Sequence, residues 1–276
     1  MLTCRDINCA KRGRYAPGEK YLMRFGCALV AGLVLLAAGA KAEPTDIVVR
    51  VVAKDAKFIG TETGGAQVTL RDADSGEVLA QGLTSGATGN TPKIMTNAHA
   101  RREALSDDTA AKFATTLDIQ RPRRITATAT GPMMLKDAAM TVSSTQWILP
   151  GKSVSGGDGW VLELPGFAIT LREPLPTAVE LKGGEARIPL KAKITMQCGC
   201  PITPGGIWDA SKLQIAVMLE GGPKVFPATP LVYAGQPSTF DGEFVISAPG
   251  RYTIDVYAYD PSNGNTGLAR FPVTAR

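Results

Sequence analysis

The chain has 276 residues, 44% hydrophobic and 20% charged, with 30 Gly, 19 Pro, five Cys and one His. That is too apolar for a disordered chain, too rich in turn formers for a helical bundle and too poor in cysteine for a disulfide-dense miniprotein. The 30 Lys and Arg against 25 Asp and Glu give a formal +5, but residues 1–42 hold seven of the bases and two of the acids, which leaves residues 43–276 with 23 of each. A neutral body speaks against nucleic acid as a partner, and the clusters Arg101-Arg102 and Arg121, Arg123, Arg124 read as solvated corners.

In chain order, the first element is a leader. Phe25 to Ala40 is a run of sixteen residues free of charge, flanked by Arg24 and Lys41, with Ala40-Lys41-Ala42 ahead of Glu43. A basic flank, an apolar stretch and small residues at a cleavage point describe a secretory signal. The run is shorter than the ~20 residues of a spanning helix, so no transmembrane segment is expected after cleavage. Residues 1–42 are therefore expected to be a signal peptide, its true start at Met1 or Met23, and the mature chain to be exported to the periplasm.

Beyond residue 43 the apolar pattern has period two, the mark of strands with one buried face. Arg187–Cys200 is the clearest case, with Ile188, Leu190, Ala192, Ile194, Met196, Cys198 and Cys200 on one face. Gln67–Arg71, Trp160–Leu164, Leu213–Leu219 and Tyr252–Ala258 follow the same rule. Turn chemistry separates them at Asp74-Ser75-Gly76, Gly221-Gly222-Pro223 and Asn263-Gly264-Asn265. An internal repeat sharpens the reading. Phe113, Leu117, Ile119, Pro122, Ile125, Ala127 and Ala129 share their spacing with Phe240, Phe244, Ile246, Pro249, Tyr252, Ile254 and Val256.

The expected fold is all-β, two tandem sandwiches after the leader, over 43–175 and 176–276. The second, through Ala248-Pro249-Gly250-Arg251-Tyr252 and Val256-Tyr257-Ala258-Tyr259-Asp260, resembles bacterial immunoglobulin-like domains. The first, through Gly65-Ala66-Gln67-Val68 and Asp74-Ser75-Gly76-Glu77-Val78-Leu79-Ala80, resembles transthyretin-like, carboxypeptidase-regulatory-type modules. Both resemblances imply architecture and no activity. The first domain is expected to carry two long loops, 85–107 and 131–159, and Ser106 is a good N-cap for a helical turn at Asp107-Asp108.

Signatures of catalysis are absent: no G-x-S-x-G elbow, no H-E-x-x-H and no Walker loop. His99, the one histidine, stands in a polar loop with Asn97, Arg101 and Arg102, as an incidental surface residue or a lone ligand or base. The remaining motif is Met196-Gln197-Cys198-Gly199-Cys200-Pro201. As strand residues the three sulfurs share a face, a soft donor set suited to Cu(I) or another thiophilic metal. In an oxidising compartment the two cysteines instead close a disulfide if Gly199 bends the chain, and an exposed bridge would be redox-active. With immunoglobulin-like strand order, the loop after Cys200 and the Asp260–Asn265 turn meet at one pole, gathering Cys200, Trp208, Asp260 and Asn263 for binding. Met133, Met134 and Met140 are weaker candidates, as packing residues or an accessory sulfur cluster. Trp147 and Trp160 are core anchors or a stacking platform. Asp260, Asn263 and Asn265 lack the spacing of a calcium loop.

Three readings follow, the balance leaning away from an enzyme. One is an exported, non-enzymatic binding or accessory protein with a soft metal at Met196, Cys198 and Cys200, serving another periplasmic or envelope protein. The second is a structural or interaction module with a local Cys198–Cys200 bridge. The third is a thiol-disulfide redox protein.

Overall fold

The structure is a computed structural model that describes residues 41–173, 175–221 and 227–276. The leader up to Ala40, with Met23, Cys4, Cys9 and Cys27, lies outside the described residues, as does the Gly222-Pro223 part of one expected turn. Among the described residues the strands are β1 (Glu43–Ala53), β2 (Gln67–Asp72), β3 (Val78–Leu83), β4 (Phe113–Ile119), β5 (Arg123–Gly131), β6 (Met140–Ile148), β7 (Trp160–Leu164), β8 (Phe167–Leu171), β9 (Ala178–Val179), β10 (Ala186–Met196), β11 (Gln214–Gly221), β12 (Thr229–Pro230), β13 (Val232–Tyr233), β14 (Thr239–Ile246), β15 (Gly250–Asp260) and β16 (Asn265–Ala275). Helical structure is limited to single short turns. No helix among the described residues is long and apolar enough to cross a membrane.

Alternation sets the faces. In β10, Ile188, Leu190, Ala192 and Ile194 are buried while Arg187, Pro189, Lys191 and Lys193 are exposed. In β5, Ile125, Ala127 and Ala129 are fully buried between half-exposed threonines. The strands form sheets of order β4-β1-β7, β3-β2-β5-β6, β13-β14-β10-β8 and β12-β11-β15-β16-β9.

The sequence repeat is a structural repeat. The pairs Ile125↔Gln146, Ala127↔Ser144 and Ala129↔Val142 of β5–β6 correspond, residue for residue, to Tyr252↔Val273, Ile254↔Phe271 and Val256↔Ala269 of β15–β16. In both copies a proline corner carries the chain from one sheet to another, β4 to β5 and β14 to β15. The Tyr252 hydroxyl fixes the second corner by donating to the Ala248 carbonyl at 2.8 Å, a tyrosine corner of immunoglobulin-like domains. The shared framework is six strands, with β1, β2 and β3 matching β10, β11 and β12. The seventh strand differs. Beside β1 it is β7, parallel and last in its copy; beside β10 it is β8, antiparallel and first in its copy. These two strands are consecutive, joined only by Pro165-Gly166, so β8 pairs with β10 although it precedes residue 175.

Within 131–159 the structure forms β6, where the sequence pattern suggested a loop. Only Ile148 of its nine residues is buried, so the strand has no apolar face to reveal it by period two. The 85–107 stretch is irregular apart from one turn of helix at Pro92–Thr96. It covers the outer face of β1, where Phe58, Ala110 and Ala111 form a small core with Val52, Ile94 and Leu105. Asp158 pins it, accepting from the N–H groups of Leu105 and Ser106 at 2.9 and 2.8 Å. Burial alone would raise this carboxyl, but those N–H groups and the nearby Arg50 hold it below the usual range. No helix begins at Ser106: its N–H is given to Asp158, and the next residue, Asp107, closes a turn onto Thr109 by accepting from its N–H and hydroxyl.

Candidate functional site at the junction of the two sandwiches

The C-x-C motif ends β10 rather than continuing it. The strand stops at Met196 and the chain reverses: Gly199 N–H donates to the Met196 carbonyl at 2.8 Å, and Met196 N–H to the Cys200 carbonyl at 3.1 Å. The expectation of a straight strand through Cys200 is corrected here, since Gly199 takes a left-handed conformation (φ 80°) open to glycine at little cost. The reversal brings the Cα atoms of Cys198 and Cys200 to 5.4 Å, and their sulfurs form a disulfide. Met196, Cys198 and Cys200 are all buried.

This turn packs against the first sandwich. A Cβ on Gly199 would lie 2.8 Å from the Thr63 methyl. Thr63 is buried and its hydroxyl donates to the Gly60 carbonyl, so that methyl has little freedom to move. Gln197, beside the motif, donates to the Ala138 carbonyl at 3.1 Å. Gly199→Ala is therefore expected to cost about 2–3 kcal/mol, from the left-handed backbone and the overlap together. Changing both cysteines to alanine, which buries no new hydroxyl, removes a very short ring and is expected to cost less, about 1–2 kcal/mol. Urea denaturation of the two variants gives the order, and the reverse order would show that the sulfurs matter more than the glycine.

Of the residues expected at one pole with Cys200, Trp208 and Asn263 both bond to the Lys54-Asp55 turn of the first sandwich, and Asn263 also bonds to Asp260. Trp208 is buried, and its indole N–H donates to the Asp55 carbonyl at 2.8 Å. Asp209 shapes that loop by accepting from Gly205 N–H and from both donors of Ser211, contacts that hold its carboxyl below the usual range. The Asn263 amide donates to both Asp55, at 3.3 Å, and Asp260, at 3.2 Å, and Lys54 donates to the Asn263 carbonyl at 3.0 Å. Loss of hydration in this crowded turn raises the Asp55 carboxyl, and the Asp260 charge raises it further. A raised acid stabilises the fold as pH falls and opposes it as pH rises through its folded value. Asp55→Asn, compatible with the positive φ of 53°, is thus expected to raise Tm slightly at neutral pH. The gain should shrink toward the ordinary carboxylate range, and a constant difference from pH 4 to 8 would remove the charge argument.

The connector is fixed as well. Gly166 N–H donates to Asn265 Oδ1 at 2.6 Å, and Asn265 Nδ2 donates back to the Gly166 carbonyl at 3.2 Å. Asn265 is 1% exposed. The apolar cores of both sandwiches form one contiguous cluster.

Of the weaker candidates, Met134 and Met140 border residues that touch the turn, Thr63 and Gln197, through Gly166 in the second case. The backbones of Met133 and Met134 donate to Gly65 and Thr63 carbonyls; the Met134 and Met140 side chains are exposed. His99 is exposed in the 85–107 stretch. Among the described residues no three His, Cys, Asp or Glu side chains are grouped to hold a metal. Trp160 anchors the core, donating to Ser144 Oγ, whereas Trp147 is 61% exposed. A cleft of about 1280 Å³ lies toward the other end of β10, lined by Leu175, Val179, Arg187 and Glu243, and includes none of the candidates. Sequence reasoning missed Lys54, Asp55, Thr63 and Gly166 and named Gln197 and Asn265 only as motif and turn residues; the partners of these six are as far as 209 residues away in the chain.

No family model matches the chain, and no curated protein matches it. Solved structures similar to it include fibronectin(III)-like modules of Clostridium thermocellum CbhA, at 11% identity over 84% of this chain and 94% of that one, TM-score 0.27. A three-immunoglobulin-domain segment of titin gives 10% identity, 86% and 66% coverage and TM-score 0.23. A complex of Dpr and DIP-gamma immunoglobulin domains gives 12%, 85% and 99%, and 0.20. At such scores the likeness carries no argument, and the sandwich architecture rests on this chain's own strand pairing.

Proposed function

We propose that this chain is an exported, non-enzymatic accessory module whose two sandwiches are locked into one body and serve as an interaction scaffold. The observation that carries this reading is the use of the C-x-C turn and the Trp208 and Asn263 loops for contacts between the sandwiches. The leader composition and a disulfide suited to an oxidising compartment support export. The immunoglobulin-like and transthyretin-like resemblances fit a scaffold whose outer faces meet an envelope partner. Soft-metal binding at Met196, Cys198 and Cys200 would require that the disulfide be reduced and the turn exposed. Mass spectrometry under non-reducing conditions is the test. The peptide holding Cys198 and Cys200 is expected to be lighter by two hydrogens than its reduced form. A free dithiol that takes up Cu(I) in the folded protein would overturn the scaffold reading of this motif.

A further inference from the structure

We propose that the outer face of the β2–β5–β6 sheet binds a neutral polysaccharide, with Trp147 as its stacking platform. This deepens the scaffold reading by giving its partner a chemistry. The face is set by register: Thr69 opposes Thr128, which opposes Ser143, while Thr130 opposes Thr141 and Thr126 opposes Thr145. Residues directly opposite in an antiparallel pair share a face, so these seven hydroxyls form one grid. Two pairs are hydrogen bonded to each other, Thr126–Thr145 at 2.7 Å and Thr130–Thr141 at 2.8 Å. At the end of the grid Trp147 opposes Arg124, whose guanidinium lies 5.9 Å from the ring centroid. The indole is left 61% exposed.

Threonine favours strands on any exposed face, so the grid needs a control, and the repeat supplies one. The corresponding positions of β15 and β16 hold Thr253, Asp255 and Tyr257 and Leu268, Arg270 and Pro272. The framework therefore accepts acids, bases, aromatics and proline there. The uniform hydroxyls belong to this face and are not imposed by the fold.

The chemistry selects the occupant. A hydroxyl both donates and accepts, so a flat array of them matches the hydroxyls of a sugar polymer in either sense. An aromatic ring with a free face stacks on the apolar face of a pyranose. A protein partner would want an apolar centre, and apart from Trp147 the exposed large apolar side chains of this sheet stand at its margins, Val78 and Leu83 on the edge strand β3 and Met140 at the start of β6. Nucleic acid would want an excess of cations, and the face offers Arg71 and Arg124, the latter paired with Asp74. The grid runs along β6 from Thr141 to Trp147, about 20 Å at strand rise, which suits a chain rather than a single sugar.

Native gels of the full chain, containing a β-glucan, an α-glucan, a galactomannan or soluble chitin, test this in high salt. At least one is expected to retard the protein, and Trp147→Ala is expected to weaken that retardation about tenfold with an unchanged melting curve. Thr128→Asp, which puts a charge at the centre of the grid, is expected to abolish it. Lack of retardation by all four polymers overturns the proposal, as does retardation that Trp147→Ala retains in full. Neither outcome bears on the junction, which the denaturation measurements address separately.

Discussion

Trp208→Ala is expected to destabilise the protein by about 3–5 kcal/mol, the range for removing a large buried aromatic. Trp208 is 9% exposed, and its indole fills the space between its own loop and the Lys54-Asp55 turn. Truncation leaves a cavity at the junction and removes the donor to the Asp55 carbonyl. Trp208→Phe keeps much of the apolar volume and loses the hydrogen bond, so it should cost nearer 1 kcal/mol. Urea midpoints at constant m-value give both numbers. Limited proteolysis adds a local readout, since Trp208→Ala should speed cleavage in the Ala53–Lys57 turn of the other sandwich. Wild-type stability in Trp208→Ala would mean that this loop does not join the sandwiches.

Asn265→Ala should cost about 2–5 kcal/mol, because it orphans two buried peptide groups of one glycine at about 1–3 kcal/mol each. The Asn265 amide does for Gly166 what a neighbouring strand would do, accepting from its N–H and donating to its carbonyl. A side chain in place of that glycine would be strained: its φ is 111°, and a Cβ would press on the Gln197 amide nitrogen at 3.0 Å. The connector between β7 and β8 thus has its length, conformation and hydrogen bonds set together. Asn265→Asp separates the parts. It retains the acceptor, loses the donor and places a carboxylate where water is excluded, so it should be severely destabilised at pH 7 and recover as pH falls. An Asp variant as stable as wild type across the pH range would show that Gly166 is solvated.

The tandem sandwich was legible because alternation reports burial directly: Ile188 to Ile194 and Ile125 to Ala129 face inward as their spacing requires. The repeat was legible for the same reason, since equivalent strands need equivalent apolar positions. β6 escaped because its side chains alternate between two largely wet faces. The seventh strands escaped in a different way: β7 was recognisable as extended and β8, buried without alternation, was not, and no local pattern states which sheet a strand joins.

The candidate site divides along the same line. The sequence by itself determined that Cys198 and Cys200 are close enough to bridge if Gly199 bends, and, given immunoglobulin-like strand order, it placed the loops bearing Trp208 and Asn263 at one pole as an expectation. Both follow from short-range geometry and strand order. Only the tertiary structure decided what that pole faces. Asp55 lies 153 residues from Trp208 and 208 from Asn263, and Gly166 lies 99 from Asn265. Composition and periodicity carry no record of such pairings, because a hydrogen bond between distant loops depends on how two finished sandwiches pack.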